Sequence, residues 1–150
     1  MPPSTAAGDC AKLHVVEPLE GIAEADAHLG RRMPLPRVPL PLARWIDIRE
    51  CGPQAVEVCW NLDDSRPDAP GRMALFAGVE PPEQRELEDA TEVAPVADGI
   101  SHREAPLTAA QPSLRPVHEL WWQRDGLHLR LTAQGPWTLP ILVSIAQSVG

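Results

Sequence analysis

Basic residues are scarce in this chain, and lysine is almost missing. Lys and Arg together number 13 against 21 Asp and Glu, which gives a formal net charge of -8. Binding to a nucleic-acid backbone needs clustered cations that displace counterions, so this balance argues against a nucleic-acid partner. The densest group of cations is Arg31, Arg32 and Arg37, and prolines lie among them.

Long apolar runs are also missing. No stretch approaches the roughly 18 consecutive apolar residues of a membrane-spanning helix, so we expect no membrane insertion. The first ten residues lack the basic region and the apolar segment of a secretory signal. These absences predict a soluble, acidic, cytoplasmic protein.

The sequence has no motif for a cofactor or for nucleophilic catalysis. It contains no glycine-rich phosphate loop, no dinucleotide fingerprint and no Gly-x-Ser-x-Gly elbow. Its three cysteines show no Cys-x-x-Cys spacing, which argues against structural zinc. We therefore assign no metal, no cofactor and no catalytic residue, and we expect Cys51 and Cys59 to be buried free thiols.

What is present is enough to build a core. Hydrophobic residues make up 43% of the 150 residues, which is near the norm for globular proteins. The 18 prolines predict short elements joined by irregular connections. We expect a flexible tail at 1–10 and a single α+β domain at 11–150.

Hydrophobic patterns predict a curved antiparallel sheet of four to six strands, with an N-terminal and a C-terminal helix packed on it. Prolines exclude helix and central strand from 33–42, but Leu35 and its apolar neighbours there can still pack on the core. We expect helices at 19–31, 82–90 and 139–149, and strands at 14–16, 45–50, 55–62, 72–79, 91–96 and in a hairpin at 117–133. Alternation predicts that strand 55–62 buries one face and leaves the face of Glu57 and Cys59 wet.

The hairpin at 117–133 is the clearest of these signals. Asp125-Gly126 suits a two-residue turn with positive φ, and this register pairs Trp121 with Arg130. One face is expected to be core: Leu120, Trp122, Leu127, Leu129 and Leu131. The other face carries Glu119, Trp121, Gln123, His128, Arg130 and Thr132, and a Trp121–Arg130 cation–aromatic pair is expected on it.

A capped helix is expected to follow this hairpin. Thr138 is a natural N-cap, and Pro140 lies in the first turn, where its missing N–H has no cost.

The order of these pieces resembles a known bacterial family. A helix over Gly21–Ala27 leads into the Pro-Leu-Pro segment, and strands follow. Trp122-x-x-Asp-Gly126 and a closing Leu142-x-x-Ile-Ala-x-Ser148 helix complete the pattern. The chain thus resembles the small domain in the extracytoplasmic part of bacterial anti-sigma factors and sporulation-type lipoproteins. It departs from that family in lacking a membrane helix, a signal and the aromatic residue between the two prolines, and the resemblance assigns no site residue.

Tryptophan is the remaining candidate for function. An adjacent pair such as Trp121 and Trp122 must point to opposite faces of a strand, so Trp121 is either a partner surface or packed beneath the N-terminal helix or the Pro-rich segment. We expect a non-enzymatic binding or sensory domain that acts near Trp121, with Arg130 and Trp45 as further binding residues, on a protein partner or through self-association.

Two alternatives stay open. One is an enzyme with a nonstandard site that uses His118 or the Glu24/His28 pair. Glu20, Glu24 and His28 share a helix face at a spacing that a metal could use, although a solvated face is the simpler interpretation. The other alternative is a homo-oligomeric structural protein.

Overall fold

The computed structural model describes residues 11–16, 18–37, 45–61, 72–82, 87, 90–105, 116–134 and 137–150. Side chains are described for all of these except 11–20, 45–47, 61 and 72. The elements in chain order are β1 (Ala11–Val16), α1 (Pro18–Leu29), β2 (Trp45–Glu50), β3 (Ala55–Asn61), β4 (Arg72–Gly78), β5 (Ala94–Ala97), β6 (Ile100–Ala105), β7 (Val117–Arg124), β8 (Leu127–Gln134) and α2 (Leu139–Ser148). The α+β class is confirmed. The tail expected at 1–10 lies outside the described residues.

All eight strands form one antiparallel sheet in the order β1-β2-β3-β4-β8-β7-β6-β5. The expected count of four to six strands is wrong, and the sheet is not strongly curled. β1 and β5 are its edge strands. The meander of β2, β3 and β4 is confirmed, and the terminal hairpin extends it because β8 pairs with β4.

The β7–β8 hairpin has the expected register. Arg124 pairs with Leu127 and Trp121 with Arg130. The turn residues Asp125 and Gly126 have φ values of +53° and +79°, the left-handed conformation that a short hairpin turn requires.

The two helices of the described residues begin and end near their expected bounds. The helix expected at 82–90 lies mostly outside the described residues, and Pro82, Leu87 and Ala90 are not helical. α1 ends at Leu29, two residues early, because Gly30 adopts φ +77° and its N–H donates to the Asp26 carbonyl. Thr138 occupies the N-cap position of α2, but its side chain makes no capping hydrogen bond.

One face of the sheet, the helix face, carries the main apolar core. α1 packs on β2 and β3, and α2 contacts β7. The buried cluster beneath them joins helix residues to alternate strand residues: Ala25, Leu29, Ile48, Val58, Leu75, Leu120, Trp122, Leu129, Leu131, Leu142, Ile145 and Val149. Leu35 of the Pro-rich segment packs against this cluster as expected. The expected core face of the terminal hairpin is therefore confirmed.

The opposite face, here called the charged face, is defined by Arg49, Glu57, Arg103, Glu119 and Arg130. The expectation that β3 leaves this face wet is wrong, because Glu57 has no exposed surface. Glu119 and Arg130 are also fully buried, and Arg103 is 7% exposed. Alternation identified the face correctly but could not show that polar side chains paired with one another are buried there.

The two described cysteines differ in state. Cys59 is buried and is not disulfide-bonded, as expected. Cys51 is buried but disulfide-bonded, so the expectation of a free thiol there is wrong. Cys10 lies outside the described residues.

Candidate functional site

The residues expected to bind a partner do not form an open site within the described part of the chain. Trp121 is half-buried on the charged face, which is the face opposite the helices. Arg130 is fully buried, and Trp45 pairs through its backbone with Asn61 while its side chain lies outside the described part. Trp121 and Arg130 are brought together as cross-strand neighbours.

The arginine that stacks on Trp121 is not the expected one. The Arg103 guanidinium lies 5.4 Å from the centre of the Trp121 ring, whereas that of Arg130 lies 5.4 Å from the Phe76 ring. β6 was missed from the sequence, so no sequence argument could place Arg103 beside Trp121.

Ion pairs account for the burial of charge on this face. Arg130 Nη2 donates to Glu57 Oε2 at 3.2 Å, and Arg49 Nη1 lies 3.8 Å from Glu57 Oε1. Arg103 donates to Glu119 Oε1 through Nε at 2.9 Å and Nη2 at 2.7 Å. A buried charge needs such a partner because its desolvation costs several kcal/mol. The simplest role for these pairs is therefore structural.

The histidines of the enzyme alternative have structural partners. His118 Nδ1 lies 3.0 Å from His102 Nε2, and the two rings stack with centroids 5.3 Å apart. Burial lowers the pKa of His102 below its usual 6.5; the charge of His118 lowers it further, and that of Glu104 opposes the shift.

His28 is held at both ring nitrogens. Its Nδ1 lies 3.0 Å from Glu50 Oε1, and its Nε2 lies 2.9 Å from the Gly52 carbonyl. His28 thus has Glu50 of β2 as a carboxylate partner, and Glu50 was not part of the expected Glu24/His28 pair. No group of three or more His, Cys, Asp or Glu that could hold a metal occurs among the described residues.

An open cavity lies elsewhere, between the segment that follows α1 and the β7–β8 turn. Its volume is about 430 Å³. We call it the arginine cleft, and its lining residues are Arg31, Arg32, Met33, Pro34, Leu35, Pro36, Arg37, Arg124, Asp125, Leu127, Leu129 and Gly150. None of the residues expected to bind a partner lines it.

Backbone hydrogen bonds fix the wall of the cleft formed by residues 31–37. Asp26 Oδ1 accepts from Met33 N–H at 2.6 Å. The Leu35 carbonyl accepts from Gly150 N–H at 3.3 Å, and Arg37 N–H donates to Ser148 Oγ at 3.0 Å. Prolines at 34 and 36 restrict φ further, so the wall is preorganised.

Two arginines fasten the opposite wall. Arg31 Nη1 donates to the Asp125 carbonyl at 2.8 Å, which joins the two sides of the cleft. Arg124 Nη1 donates to the Val149 carbonyl, which joins the hairpin turn to the end of α2.

The side chains of Arg32 and Arg37 do not join the walls of the cleft in this way. Both are exposed, and neither guanidinium has a hydrogen bond or ion pair to any described residue. With four arginines and one aspartate the cleft has a formal charge of +3, in a chain of net charge -8.

The floor of the cleft is apolar. Met33, Leu127 and Leu129 are at most 2% exposed and belong to the main core, and Leu35 packs against it. A cavity with an apolar floor and a few polar groups at its rim is the usual form of a small-molecule site.

Comparison with known proteins gives no relative: no family model, no curated protein and no solved structure matches the chain. In the part of the chain that the structure describes, no helix has the length and apolar character needed to cross a membrane.

The sequence held part of the signal for this cleft. Arg31, Arg32 and Arg37 are the densest group of cations in the sequence, but the sequence alone relates them only to nucleic-acid binding. Arg124, the fourth arginine, lies 87 residues beyond Arg37 in the numbering and joins the group only through the position of the β7–β8 turn.

Proposed function

We propose that the chain is a non-enzymatic binding or sensory domain whose arginine cleft holds an anionic ligand. The observation that carries this proposal is the gathering of four arginines around one preformed cavity in a chain of net charge -8. Such a concentration of positive charge has no structural need at Arg32 and Arg37, which pair with no described residue.

Size and chemistry support the same proposal. A volume of about 430 Å³ falls within the range of roughly 300 to 1,000 Å³ that small-molecule sites occupy. The guanidinium group is planar and presents parallel donors that match a carboxylate or a phosphate. Because the walls are already fixed by hydrogen bonds, little ordering cost opposes binding.

The original expectation of a partner surface near Trp121 remains a second candidate. It is favoured by the half-exposed Trp121 ring beneath Arg103, since Trp and Arg are enriched at interface hot spots. The enzyme and homo-oligomer alternatives gain no specific support from the contacts of the described residues.

The compartment belongs to the proposal as well. The sequence led to a cytoplasmic expectation, whereas a disulfide at Cys51 is typical of an oxidising compartment. We give the disulfide more weight because reducing compartments keep most thiols free. Its presence also agrees with the resemblance to an extracytoplasmic domain, which remains a prediction.

Isothermal titration calorimetry with citrate, a small multivalent anion, tests the proposed function. Citrate binding is expected in low-salt buffer and is expected to weaken with added salt, because exposed charges are screened. Arg32→Gln and Arg37→Gln should each weaken binding about fivefold or more, as expected for the loss of one charge-assisted hydrogen bond worth roughly 1 to 3 kcal/mol.

Val93→Glu is the control for net charge. Val93 is 48% exposed and does not line the cleft, and its substitution lowers the net charge by one, as each arginine variant does. Equal weakening by Val93→Glu, or no citrate binding by the unaltered protein, would contradict an anion site in the cleft.

A further inference from the structure

We infer that the ligand of the arginine cleft is a small anionic amphiphile, with a carboxylate or phosphate head and a single apolar chain. This inference rests on the proposed function and adds the class of ligand to it. The juxtaposition of two unpaired guanidinium groups with the half-buried apolar residues Pro34, Leu35 and Pro36 supports it.

The rim of the cleft suits the head group. Arg31 and Arg124 are held by the Asp125 and Val149 carbonyls, which fixes two positive charges in place. The guanidinium donors of Arg32 and Arg37 have no described partner and are open to a ligand. A head group with two or three oxygens can accept from both, whereas a cation would meet lining side chains with a formal charge of +3.

The half-buried apolar wall suits the chain. Leu127, Leu129 and Met33 are at most 2% exposed, so the apolar surface that a ligand can cover belongs to Pro34, Leu35 and Pro36. A ligand chain that lies on these residues removes their apolar surface from water, and a bare inorganic anion would leave it uncovered. The cavity of about 430 Å³ is also far larger than such an anion needs.

A peptide that docks as an added strand fits the cleft less well. Strand addition requires free backbone groups along the receiving segment. In residues 33–37 the Met33 and Arg37 N–H groups are already engaged, the Leu35 carbonyl accepts from Gly150, and Pro34 and Pro36 have no N–H. The segment therefore offers side chains, and hardly any backbone, to a ligand.

Calorimetric titration with hexanoate, octanoate and decanoate below their micelle concentrations tests the inference. Affinity is expected to rise about fourfold for each added methylene, which corresponds to roughly 0.8 kcal/mol per buried CH₂. Octyl phosphate should bind at least as well as octanoate. Octylammonium and octyl glucoside, which have the same chain and no negative charge, should bind at least tenfold more weakly.

Two variants test the binding of the head group and the binding of the apolar chain separately. The double variant Arg32→Gln/Arg37→Gln should weaken octanoate and octyl phosphate and leave octyl glucoside unchanged. Leu35→Ser, at a half-buried position on the cleft wall, should reduce the dependence on chain length while citrate binding persists. Thermal unfolding of each variant without ligand confirms that it is folded.

The outcomes distinguish the two proposals. If citrate and hexanoate bind as well as decanoate and the arginine variants weaken all of them, the anion site stands and the amphiphile inference fails. If octylammonium binds as well as octanoate, both fail. Vesicles containing phosphatidylglycerol supply the same chemistry from a membrane; binding to vesicles without binding to monomeric decanoate would overturn the inference of a free ligand.

Discussion

Arg130 and Glu57 are the most deeply buried ion pair on the charged face. Neither residue has exposed surface, and Arg130 Nη2 lies 3.2 Å from Glu57 Oε2. A buried pair contributes little net stability, because desolvation of both ions offsets their attraction. Removal of Arg130 is different, since it takes away the buried cation nearest to the Glu57 carboxylate and leaves Arg49, at 3.8 Å, on its other oxygen.

We therefore predict strong coupling between these two residues. Arg130→Met alone should lower the free energy of unfolding by about 3 to 5 kcal/mol. The double variant Glu57→Leu/Arg130→Met should lose less than the sum of the two single variants, because it removes both charges of the pair together. Chemical denaturation of the four proteins measures the coupling, and additive losses would show that the pair does not act as a unit.

His102 makes stability depend on pH. Burial and the neighbouring His118 lower the pKa of His102 in the folded protein below 6.5, its value in the unfolded chain. Below pH 6.5 the unfolded state therefore binds more protons at this residue, and acidification favours unfolding. The stabilising contribution is complete above that pH and is lost as the pH falls toward the folded-state pKa.

The variant His102→Gln should flatten this part of the pH profile. The free energy of unfolding, measured by urea denaturation between pH 7.5 and 5, gives the comparison, and these pH values are about one unit either side of an ordinary histidine pKa. His128→Gln is the control, because His128 lies on the charged-face side of the terminal hairpin and away from the His102–His118 stack. An unchanged acid slope in His102→Gln would contradict the assignment to this residue.

At the scale of elements, the sequence predicted the turns and strands that neighbouring residues determine. The β7–β8 hairpin followed from Asp125-Gly126 and strong alternation, and its register is confirmed. The strand expected at 91–96 overlaps β5, but β6 and its hairpin with β5 were not predicted, although Asp98-Gly99 is the same turn pair and Gly99 adopts φ +74°. Its strands contain Ala, Pro, Ser and Glu, which have low strand propensity, so pairing with β7 and not local preference holds them in the sheet.

The carboxylate of Asp26 helps to hold the backbone of the segment 31–37 in place. Asp26 accepts from Met33 N–H at 2.6 Å, one turn beyond the end of α1. Asp26→Ala should lower the free energy of unfolding by about 1.5 to 3 kcal/mol, the range for a hydrogen bond to a charged group. It should also speed hydrogen exchange at the Met33 and Arg37 amides more than at the Leu131 amide in β8. Equal acceleration at all three amides would indicate global destabilisation and no local role.

At the scale of the whole molecule, the cleft depends on contacts that no local pattern shows. Arg31, Arg32 and Arg37 were visible in the sequence as a cluster. Their meeting with Arg124, Leu127 and Gly150 depends on how α1, the β7–β8 turn and α2 pack on the same sheet. The burial of the charged face had no sequence signal either, since alternating polar residues predict a wet surface.

The disulfide at Cys51 is a second feature at the scale of the whole molecule. Peptide mapping of unreduced protein should find the Cys51 peptide joined to another peptide by a disulfide. Reductant should lower the free energy of unfolding by about 2 to 4 kcal/mol in the unaltered protein. It should do the same in Cys59→Ser and have no effect in Cys51→Ser. Loss of the reductant effect in Cys59→Ser would show that the bond involves Cys59.

The central claim is that ligand binding occurs in the arginine cleft and not on the face of Trp121. A ¹H–¹⁵N NMR titration with octanoate tests it most directly, because every backbone amide reports its own surroundings. We predict shifts at Arg32, Leu35, Arg37, Arg124 and Leu127, and none at Glu119 or Trp121. Shifts confined to Glu119, Trp121 and Arg130 would contradict the account and return the site to the charged face.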